Sequence, residues 1–334
     1  MYVLSAGNRR VSIQLLGGDK IQDKLSRFEE LTSASLSYLG VSSLGVSSDL
    51  GSILPNERVV MLFGSSVTDL KLLDLTGNLI SDWEEIGALC EQLPALTTLN
   101  LSCNSLSSDI KSLPQLKNIR VLVLNNSGLS WTQSTSSSDD QAFNSLRLLN
   151  LDDNCISDWS EVLKLSQLPC LEQLYLNKNK LSRIFQSVNG TESSEKGSDP
   201  FPSLSCLLLG ANNIGDLASV DALNGFPQLV DIRLSENPIS DPVRGGVPRF
   251  VLVARLTKVQ VLNGSEVRAR EKKDSEIRYV RMVMSKLNDK SGEIELLHPR
   301  FYELKKLHGI EDERASAENS GPKNIASGLI CMTR

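Results

Sequence analysis

Histidine is nearly absent from this chain of 334 residues, which contains only His298 and His308. Their spacing of ten residues matches no metal-binding or catalytic arrangement. The sequence also lacks the phosphate-binding pattern G-x-x-x-x-G-K-[ST], the dinucleotide-binding pattern G-x-G-x-x-G and the nucleophile-elbow pattern G-x-S-x-G. The chain therefore offers no candidate machinery for an enzyme, and we expect no catalytic residue, no cofactor and no metal.

Long apolar runs are missing as well. The best candidate, Phe250 to Leu262, is interrupted by Arg255 and Lys258, and it falls short of the roughly 18 uninterrupted apolar residues that a membrane helix needs. The first ten residues contain an apolar run of only four and end in two arginines, which is not the pattern of a signal peptide. We therefore expect no membrane contact and a cytoplasmic location.

The six cysteines include no C-x-x-C pair, so the sequence predicts neither a disulfide framework nor a zinc site. Five of them lie at or beside positions of the repeat described next, where small buried residues belong. Those five are Cys90, Cys103, Cys155, Cys170 and Cys206.

A pattern of eleven residues, L-x-x-L-x-L-x-x-N-x-L, occurs seven times. Its first residue stands at positions 70, 96, 119, 146, 171, 204 and 229, so the steps range from 23 to 33 residues. Most steps lie within the window of about 20–29 residues that is typical of leucine-rich repeats. Ser127 replaces the asparagine in the third copy.

Each part of the pattern has a physical reason. The x-L-x-L core has a period of two, which places leucines on the buried side of a short strand. The asparagine ends the strand at a turn, where its amide can bond unpaired backbone groups from repeat to repeat. The run Ser81–Pro94 then predicts an outer helix with Ser81 or Asp82 as its N-cap, and residues 157–162 repeat the design.

The predicted fold class is therefore an α/β solenoid, a leucine-rich-repeat horseshoe with parallel inner strands, outer helices, a C-terminal cap and a helical extension. Within the extension we expect a charged helix from Ser265, as N-cap, to Leu287 and a short helix over Pro299–Leu307. The predicted parts are an N-terminal capping segment at 1–30, repeats at 31–248, a repeat cap at 249–264, a charged helical extension at 265–309 and a disordered tail at 310–334.

Several segments do not follow the repeat. Within the capping segment, Val11–Leu15 alternates like a strand and Ile21–Leu31 is typical of a helix. An incomplete first copy occupies Leu31–Val41, with Leu39 where asparagine is expected. Residues 57–69, 133–142 and 187–200 break the period. We interpret 133–142 and 187–200 as exposed loops. Residues 57–69 are an insertion that we interpret as a loop, with an added strand over Val59–Phe63 as the alternative.

Charge is distributed unevenly. Residues 31–248 contain 13 lysines and arginines against 24 aspartates and glutamates, a net charge of −11, whereas residues 249–314 contain 15 against 11, a net charge of +4. An acidic repeat region disfavours nucleic-acid binding, which needs a basic surface to neutralise phosphates. We therefore expect another protein as the partner, and a monomeric chain.

The inner strand face is the predicted docking surface. Its exposed positions, read from the pattern, are mainly acidic and polar, with one aromatic residue that interfaces favour. These side chains can also be ordinary solvated strand residues, and the sequence leaves both interpretations open. The candidate partner-binding residues are Asp74, Asn100, Asn150, Asp152, Tyr175, Asn177 and Arg233.

In the order of these segments, the chain resembles the tubulin-folding cofactor E family, in a plant-like form. The resemblance is carried by residues 11–24 (VSIQLLGGDKIQDK), the first copy at 31–41, the strings LDLTGNLISDW and LVLNNSGLSWT, the cap at 249–264, and Pro299–Gly309. It implies a non-enzymatic chaperone, associated with the cytoskeleton, that binds α-tubulin and works with other tubulin-folding cofactors on the αβ-tubulin heterodimer. It also implies a glycine-rich CAP-Gly domain before the repeats and a ubiquitin-like domain after them, and we expect this chain to lack both.

Three other classes fit parts of the pattern. An intracellular repeat scaffold that regulates a protein phosphatase by docking on its concave face has shorter and more uniform steps than the 33-residue step seen here. A spliceosomal RNA–protein adaptor is disfavoured by the acidic repeats. A receptor ectodomain is disfavoured because neither a signal sequence nor a spanning segment is found.

Overall fold

A computed structural model describes most of the chain, which forms two compact units. The first contains Met1–Val247 and Lys258–Glu266, and the second contains Pro248–Thr257 and Val267–Arg334. We call them the repeat unit and the C-terminal unit. The described residues are 2–4, 10–12, 30–42, 44, 69–107, 116–128, 143–186, 200–286 and 291–311.

The repeat unit is built on a sheet of ten strands, and consecutive strands along the chain are neighbours in the sheet. All pairs are parallel except the last, in which β12 runs antiparallel to β11. The strands are β3 (Ser33–Ser35), β4 (Leu72–Asp74), β5 (Thr98–Asn100), β6 (Val121–Val123), β7 (Leu148–Asn150), β8 (Gln173–Tyr175), β9 (Cys206–Leu208), β10 (Asp231–Arg233), β11 (Val261–Leu262) and β12 (Ser265–Glu266). The predicted leucine-rich-repeat solenoid is confirmed.

A separate antiparallel pair is formed by β1 (Tyr2–Leu4) and β2 (Arg10–Ser12). The strand predicted at residues 11–15 therefore begins one residue earlier than expected. The predicted helix over 21–31 and the three loop segments at 57–69, 133–142 and 187–200 lie almost entirely outside the described residues, as do residues 312–334.

The core of the repeat unit consists of the first, second and third leucine-type positions of each copy. From Leu70 to Leu234, all of these side chains are at most 3% exposed. Because one repeat cannot bury its apolar side alone, each strand covers the core of its neighbour, and burial continues along the whole array.

Three α-helices are described on the return paths, namely α1 (Trp83–Gln92), α2 (Trp159–Leu163) and α3 (Leu217–Ala222). Asp82 caps α1 by accepting a 2.8 Å hydrogen bond from the backbone of Glu84, which selects Asp82 from the two predicted caps. Asp158 caps α2 in the same way. The outer layer is also less helical than predicted, since 3₁₀ turns follow both α2 and α3.

The predicted asparagine ladder is present, and Asn104 illustrates it. Its side-chain amide donates to Leu75 O and Leu101 O at 2.9 Å, and its oxygen accepts from Ile80 N at 3.1 Å. The Ser127 hydroxyl replaces the amide hydrogen bonds only weakly, because both of its contacts with carbonyl oxygens are 3.4 Å long. The ladder therefore joins backbone groups that lie beyond the short strands.

The expectation that the cysteines fill small buried positions is wrong for three of them. Of these five cysteines, all within the described residues, only Cys90 is buried, and burial raises the pKa of its thiol to about 12. Cys103 and Cys155 are exposed because they occupy turn positions with φ values of 56° and 61°. Cys170 is exposed and Cys206 is half-buried.

The C-terminal unit contains α4 (Arg249–Arg255), α5 (Ala269–Lys286), α6 (Ser291–Leu297) and α7 (Phe301–Leu307). The predicted helix and short strand in residues 249–264 are both found. The prediction of Ser265 as an N-cap is wrong, because Ser265 pairs with Leu262 in β12 and the helix begins four residues later. The last helix begins at Phe301 instead of Pro299, and α6 was not predicted.

Candidate functional site

The candidate site is the solvent side of β3 to β10, which we call the strand face. Strand pairing orders it into rows that cross the repeats. Of the predicted residues, Asp74, Asn100, Asn150, Tyr175 and Arg233 share the middle row, whereas Asp152 and Asn177 lie two residues further on in what we call the last row. The register brings Asp74 beside Asn100 and Asn150 beside Tyr175, while Leu208 separates Tyr175 from Arg233.

Asp74 is already satisfied within the chain. Its carboxylate accepts hydrogen bonds from Thr76 Oγ1 at 2.6 Å, Ser37 Oγ at 2.8 Å, and Ser35 Oγ and Thr76 N at 3.1 Å. Partial burial opposes ionisation, but the hydrogen bonds from Thr76 and Ser37 outweigh it, and the pKa of Asp74 is lowered. The carboxylate therefore ties the first strand of the sheet to the second.

The middle-row asparagines serve their own turns. Asn100 Oδ1 accepts from Ser102 N at 3.0 Å and from Ser102 Oγ at 2.7 Å, and Asn150 Oδ1 accepts from Asp152 N at 3.0 Å. Such Asx turns support the backbone where each strand ends.

Asp152 and Asn177 continue this bonding between repeats. Asp152 Oδ1 accepts from Asn177 N at 2.7 Å and from Asn177 Nδ2 at 3.1 Å, while Asn177 Oδ1 accepts from Gly210 N at 2.8 Å. Burial raises the pKa of Asp152, although these hydrogen bonds and the charges of Lys178 and Arg233 act in the opposite direction.

Tyr175 and Arg233 are the two predicted residues whose side chains do not bond the backbone of a neighbouring turn. The Tyr175 hydroxyl donates to Gln173 Oε1 at 2.7 Å, and its half-buried ring remains on the surface. Arg233 Nε donates to Ser235 Oγ at 2.9 Å, and the Arg233 side chain is 46% exposed. An aromatic ring and a guanidinium group are the side chains that interfaces use most.

Gly210 makes room for Arg233. A Cβ atom at this position would lie 2.9 Å from Asn177 Oδ1 and 3.0 Å from Arg233 Nε. The missing side chain therefore lets the arginine lie across the last row, where its charge acts on Asp152.

The predicted docking residues leave out an apolar part of the strand face. Leu72, Val121 and Leu148 begin their strands, and Val123 and Leu208 stand in the middle row. Leu72 is 38% exposed and the other four are half-buried. The period-two alternation carried the signal, because the residue before each buried central leucine faces the same side as the residue after it.

The two histidines lie in the C-terminal unit and take part in partly buried contacts. His308 Nε2 lies 2.8 Å from Glu276 Oε2, and His298 Nδ1 lies 2.8 Å from the Tyr279 hydroxyl. Among the described residues, no group of three or more His, Cys, Asp or Glu side chains is arranged to hold a metal ion. Within the same part of the chain, no helix combines the length and apolar character needed to cross a membrane.

The fold and its strand face define a leucine-rich-repeat protein. No family model matches the chain. The chain is 89% identical over 358 aligned positions to the Arabidopsis thaliana tubulin-folding cofactor E, covering 100% of the chain and 65% of that protein. It belongs to the tubulin-folding cofactor E family.

More distant relatives agree with this placement. The Danio rerio tubulin-specific chaperone E is 28% identical, with 96% of the chain and 65% of that protein covered. The human tubulin-specific chaperone cofactor E-like protein is 31% identical, with 68% of the chain and 57% of that protein covered. The chain thus spans less than two thirds of the length of these relatives.

Solved structures are similar at the level of the repeat. The leucine-rich-repeat domain of APL1B has a TM-score of 0.39 and 22% identity, with 68% of the chain and 61% of that domain covered. The internalin C2 of Listeria monocytogenes has a TM-score of 0.42 and 20% identity, with 77% and 86% covered. The fold of the chain is defined by its strand register and by the burial of its leucines.

Proposed function

We propose that the chain is a tubulin-folding chaperone that binds α-tubulin and assists assembly or disassembly of the αβ-tubulin heterodimer together with other tubulin-folding cofactors. The observation that carries the proposal is the 89% identity along the whole chain to a protein described as a tubulin-folding cofactor. We place this activity in the cytoplasm, in association with the cytoskeleton, and infer a monomeric chain.

The strand face supports a binding role. A continuous sheet of ten strands gives one extended surface on which side chains of successive repeats stand about 4.8 Å apart. A rigid surface of this kind can contact a folded protein over several repeats without reorganising. We infer that the chain acts by binding and not by catalysing a reaction.

The geometry refines the predicted docking residues. Asp74, Asn100, Asn150, Asp152 and Asn177 already bond the chain's own turns, and a satisfied polar group adds little net energy to an interface. We infer that these five mainly hold the shape of the strand face, while Tyr175 and Arg233 contribute directly to binding.

The test is retention of purified αβ-tubulin by the immobilised full chain, followed by size-exclusion chromatography to detect released subunits. We expect the wild-type chain to retain α-tubulin. Tyr175→Ala should weaken binding by about tenfold, because truncation of an interface tyrosine costs on the order of 1–2 kcal/mol.

Tyr302→Ala is the matched control, since Tyr302 is 46% exposed but lies in the C-terminal unit. Equal binding by wild type and both variants would show that Tyr175 does not contribute to the interface and would not contradict the proposed function. Failure of the wild-type chain to retain α-tubulin would overturn the proposed function.

A further inference from the structure

A row of cations lies along the edge of the strand face, one residue before the strands. Lys71, Arg120 and Arg147 occupy this position in their repeats, and we call them the basic edge. Backbone hydrogen bonds place them in one row, from Thr97 N to Lys71 O at 3.0 Å, from Arg120 N to Thr97 O at 2.8 Å, and from Arg147 N to Arg120 O at 2.8 Å.

The charges of the basic edge are only partly compensated within the described part of the chain. Arg120 and Arg147 stand on neighbouring rungs of the sheet, where like charges repel each other. Arg147 is paired with Glu172 at 2.9 Å, but Lys71 and Arg120 form no ion pair with any other described residue. These three cations are also concentrated in a repeat region whose net charge is −11.

An apolar row runs directly beside the basic edge. Leu72, Val121 and Leu148 follow the three cations in sequence and begin β4, β6 and β7. Val121 pairs directly with Leu148 across the sheet, and Leu72 is 38% exposed. The chain therefore presents positive charge and exposed apolar surface in two adjacent parallel rows.

We propose that the basic edge and this apolar row together bind an acidic amphipathic segment of α-tubulin. The inference rests on the proposed function and names the part of the strand face that makes the contact. Carboxylates of the segment would pair with Lys71, Arg120 and Arg147, and its apolar side chains would cover Leu72, Val121 and Leu148. Charge complementarity selects this occupant, because an acidic segment relieves the repulsion between the two arginines.

The dimensions of the two rows define the length of the segment. Lys71 and Arg147 are three rungs apart, which is about 14 Å at the usual spacing of strands. Three turns of an α-helix, with one acidic and one apolar residue per turn, cover about 16 Å. A helical segment of roughly ten residues is therefore sufficient to contact all three cations.

Nucleic acid matches the same surface less well. A phosphate backbone would find only three cations, and the acidic repeats around them would repel it. The apolar row would also remain exposed beside the phosphates, whereas an amphipathic protein segment covers it.

The first test reverses the charge of the basic edge. We expect Arg120→Glu/Arg147→Glu to lower the affinity of the full chain for purified αβ-tubulin by on the order of 100-fold at low salt, because attraction becomes repulsion at two positions. The loss should shrink to about tenfold or less at 0.5 M salt, since exposed charges are screened.

The matched control is Lys178→Glu/Lys180→Glu. Both lysines are exposed and lie beyond the other end of β8. The control replaces two cations by two glutamates, as the test variant does, so both variants change the net charge by the same amount. Glu236 occupies the turn position equivalent to Lys178, with φ values of 64° and 55°, so the backbone there accepts glutamate. We expect this control to bind tubulin within about threefold of wild type.

The second test removes apolar surface without changing charge. Val121→Thr/Leu148→Thr places β-branched threonine, which favours strands, at both positions, so the sheet should remain folded. We expect an affinity loss of about tenfold that does not depend on salt, because it comes from lost apolar burial. Circular dichroism melting of every variant confirms that the array is intact.

The outcomes separate the two proposals. If the wild-type chain, the charge-reversal variant and the threonine variant all bind tubulin equally well, the proposed role of the basic edge and the apolar row is wrong, while the proposed function stands. If wild-type chain does not bind tubulin, both fall. If the charge reversal abolishes binding of a single-stranded RNA oligonucleotide but leaves tubulin binding intact, the basic edge is a nucleic-acid site and the inference is wrong.

Discussion

The repeat unit and the C-terminal unit satisfy their buried polar groups by different means. In the repeats, the buried polar side chains at the turns are neutral, and most are amides such as Asn104, Asn179 and Asn237. In the C-terminal unit, ionisable side chains are buried, including Arg255 at 2% and Glu276 at 5% exposure. Repetition explains the difference, because the same unpaired backbone N–H and C=O groups recur at every turn and one neutral side chain can bond them each time.

The described part of the C-terminal unit has no repeated turn of this kind. Its charged side chains instead bond the carbonyl groups at the C-terminal end of α4. Lys272 Nζ donates to Val253 O at 2.7 Å and also to Leu256 O, and Arg300 donates to Ala254 O. These three carbonyl groups belong to the C-terminal end of α4 or follow it, where helix carbonyls have no partner within the helix.

Among the variants that test this comparison, removal of the charge of Glu276 should have the largest effect on the free energy of unfolding. Glu276 lies 2.8 Å from His308 Nε2, 3.7 Å from Lys272 Nζ and 3.8 Å from Arg300 Nη1. Glu276→Gln keeps the shape but removes the carboxylate from half-buried Lys272 and leaves Arg300 only its 2.8 Å pair with Glu303, so we expect the free energy of unfolding to fall by about 3 kcal/mol. Urea denaturation with hydrogen exchange of peptides from α5 and α7 measures it.

Asp274→Asn is the control for Glu276, because it removes an exposed carboxylate from the same helix. Asp274 pairs with Arg270 at 3.7 Å, and both side chains are mostly exposed. We expect a change of less than about 0.5 kcal/mol. Similar effects of the two variants would show that the buried charges contribute no more than a surface ion pair.

Breaking the amide ladder should have the second largest effect. Asn179 Nδ2 donates to Leu151 O at 3.0 Å and Leu176 O at 3.1 Å, and its oxygen accepts from Asn154 N and Ile156 N. Asn179→Ala leaves these buried groups unpaired, and we expect a loss of about 2–3 kcal/mol in urea denaturation followed by tryptophan fluorescence.

Two further variants sharpen the result for the ladder. Asn213→Ala removes an exposed asparagine from the next repeat and should change stability by less than about 0.5 kcal/mol. Ser127→Asn restores the amide where the hydroxyl contacts are 3.4 Å long, and we expect a gain of about 1 kcal/mol. A neutral Asn179→Ala variant would mean that the amides do not stabilise the array.

Sequence reasoning succeeded where the pattern repeats. The alternation of leucines predicted the strands and the core, and the Ser-Asp pair before each tryptophan placed the start of α1 and α2 to within one residue. It failed where partners are distant and unique. Ser265 has the local character of a helix cap, but strand pairing with Leu262 overrides it. Similarly, Glu276 and His308 are 32 residues apart with no period to connect them.

Part of the candidate site was predictable for the same reason. The middle-row and last-row residues follow from the period of the strand, which fixes the side of the sheet they occupy. Their hydrogen bonds did not follow, because Asp152 bonds Asn177 one repeat later and the sequence does not show which polar neighbours will pair. The basic edge was not among the predicted docking residues, because those residues stand at positions after the central leucine, whereas Arg120 and Arg147 occupy the second position of adjacent copies.

The pH dependence of Lys272 gives the smallest expected effect and tests only the charged side chains of the C-terminal unit. Burial lowers the pKa of Lys272 to about 8, although the charge of Glu276 acts to raise it. The unfolded chain, with an ordinary lysine pKa near 10.5, therefore binds more protons between about pH 8 and 10. The contribution of Lys272 to the free energy of unfolding should accordingly rise with pH in this window, by about 1 kcal/mol per pH unit.

Lys272→Met isolates this contribution from those of other titratable groups. The variant removes the proton difference but keeps the apolar stem of the side chain, so its stability measured by urea denaturation should rise less with pH than that of wild type. Lys273→Met, at an exposed neighbouring position, should keep the wild-type slope. If all three proteins have the same slope between pH 8 and 10, Lys272 is not desolvated, and its bonds to the end of α4 are those of an ordinary surface lysine.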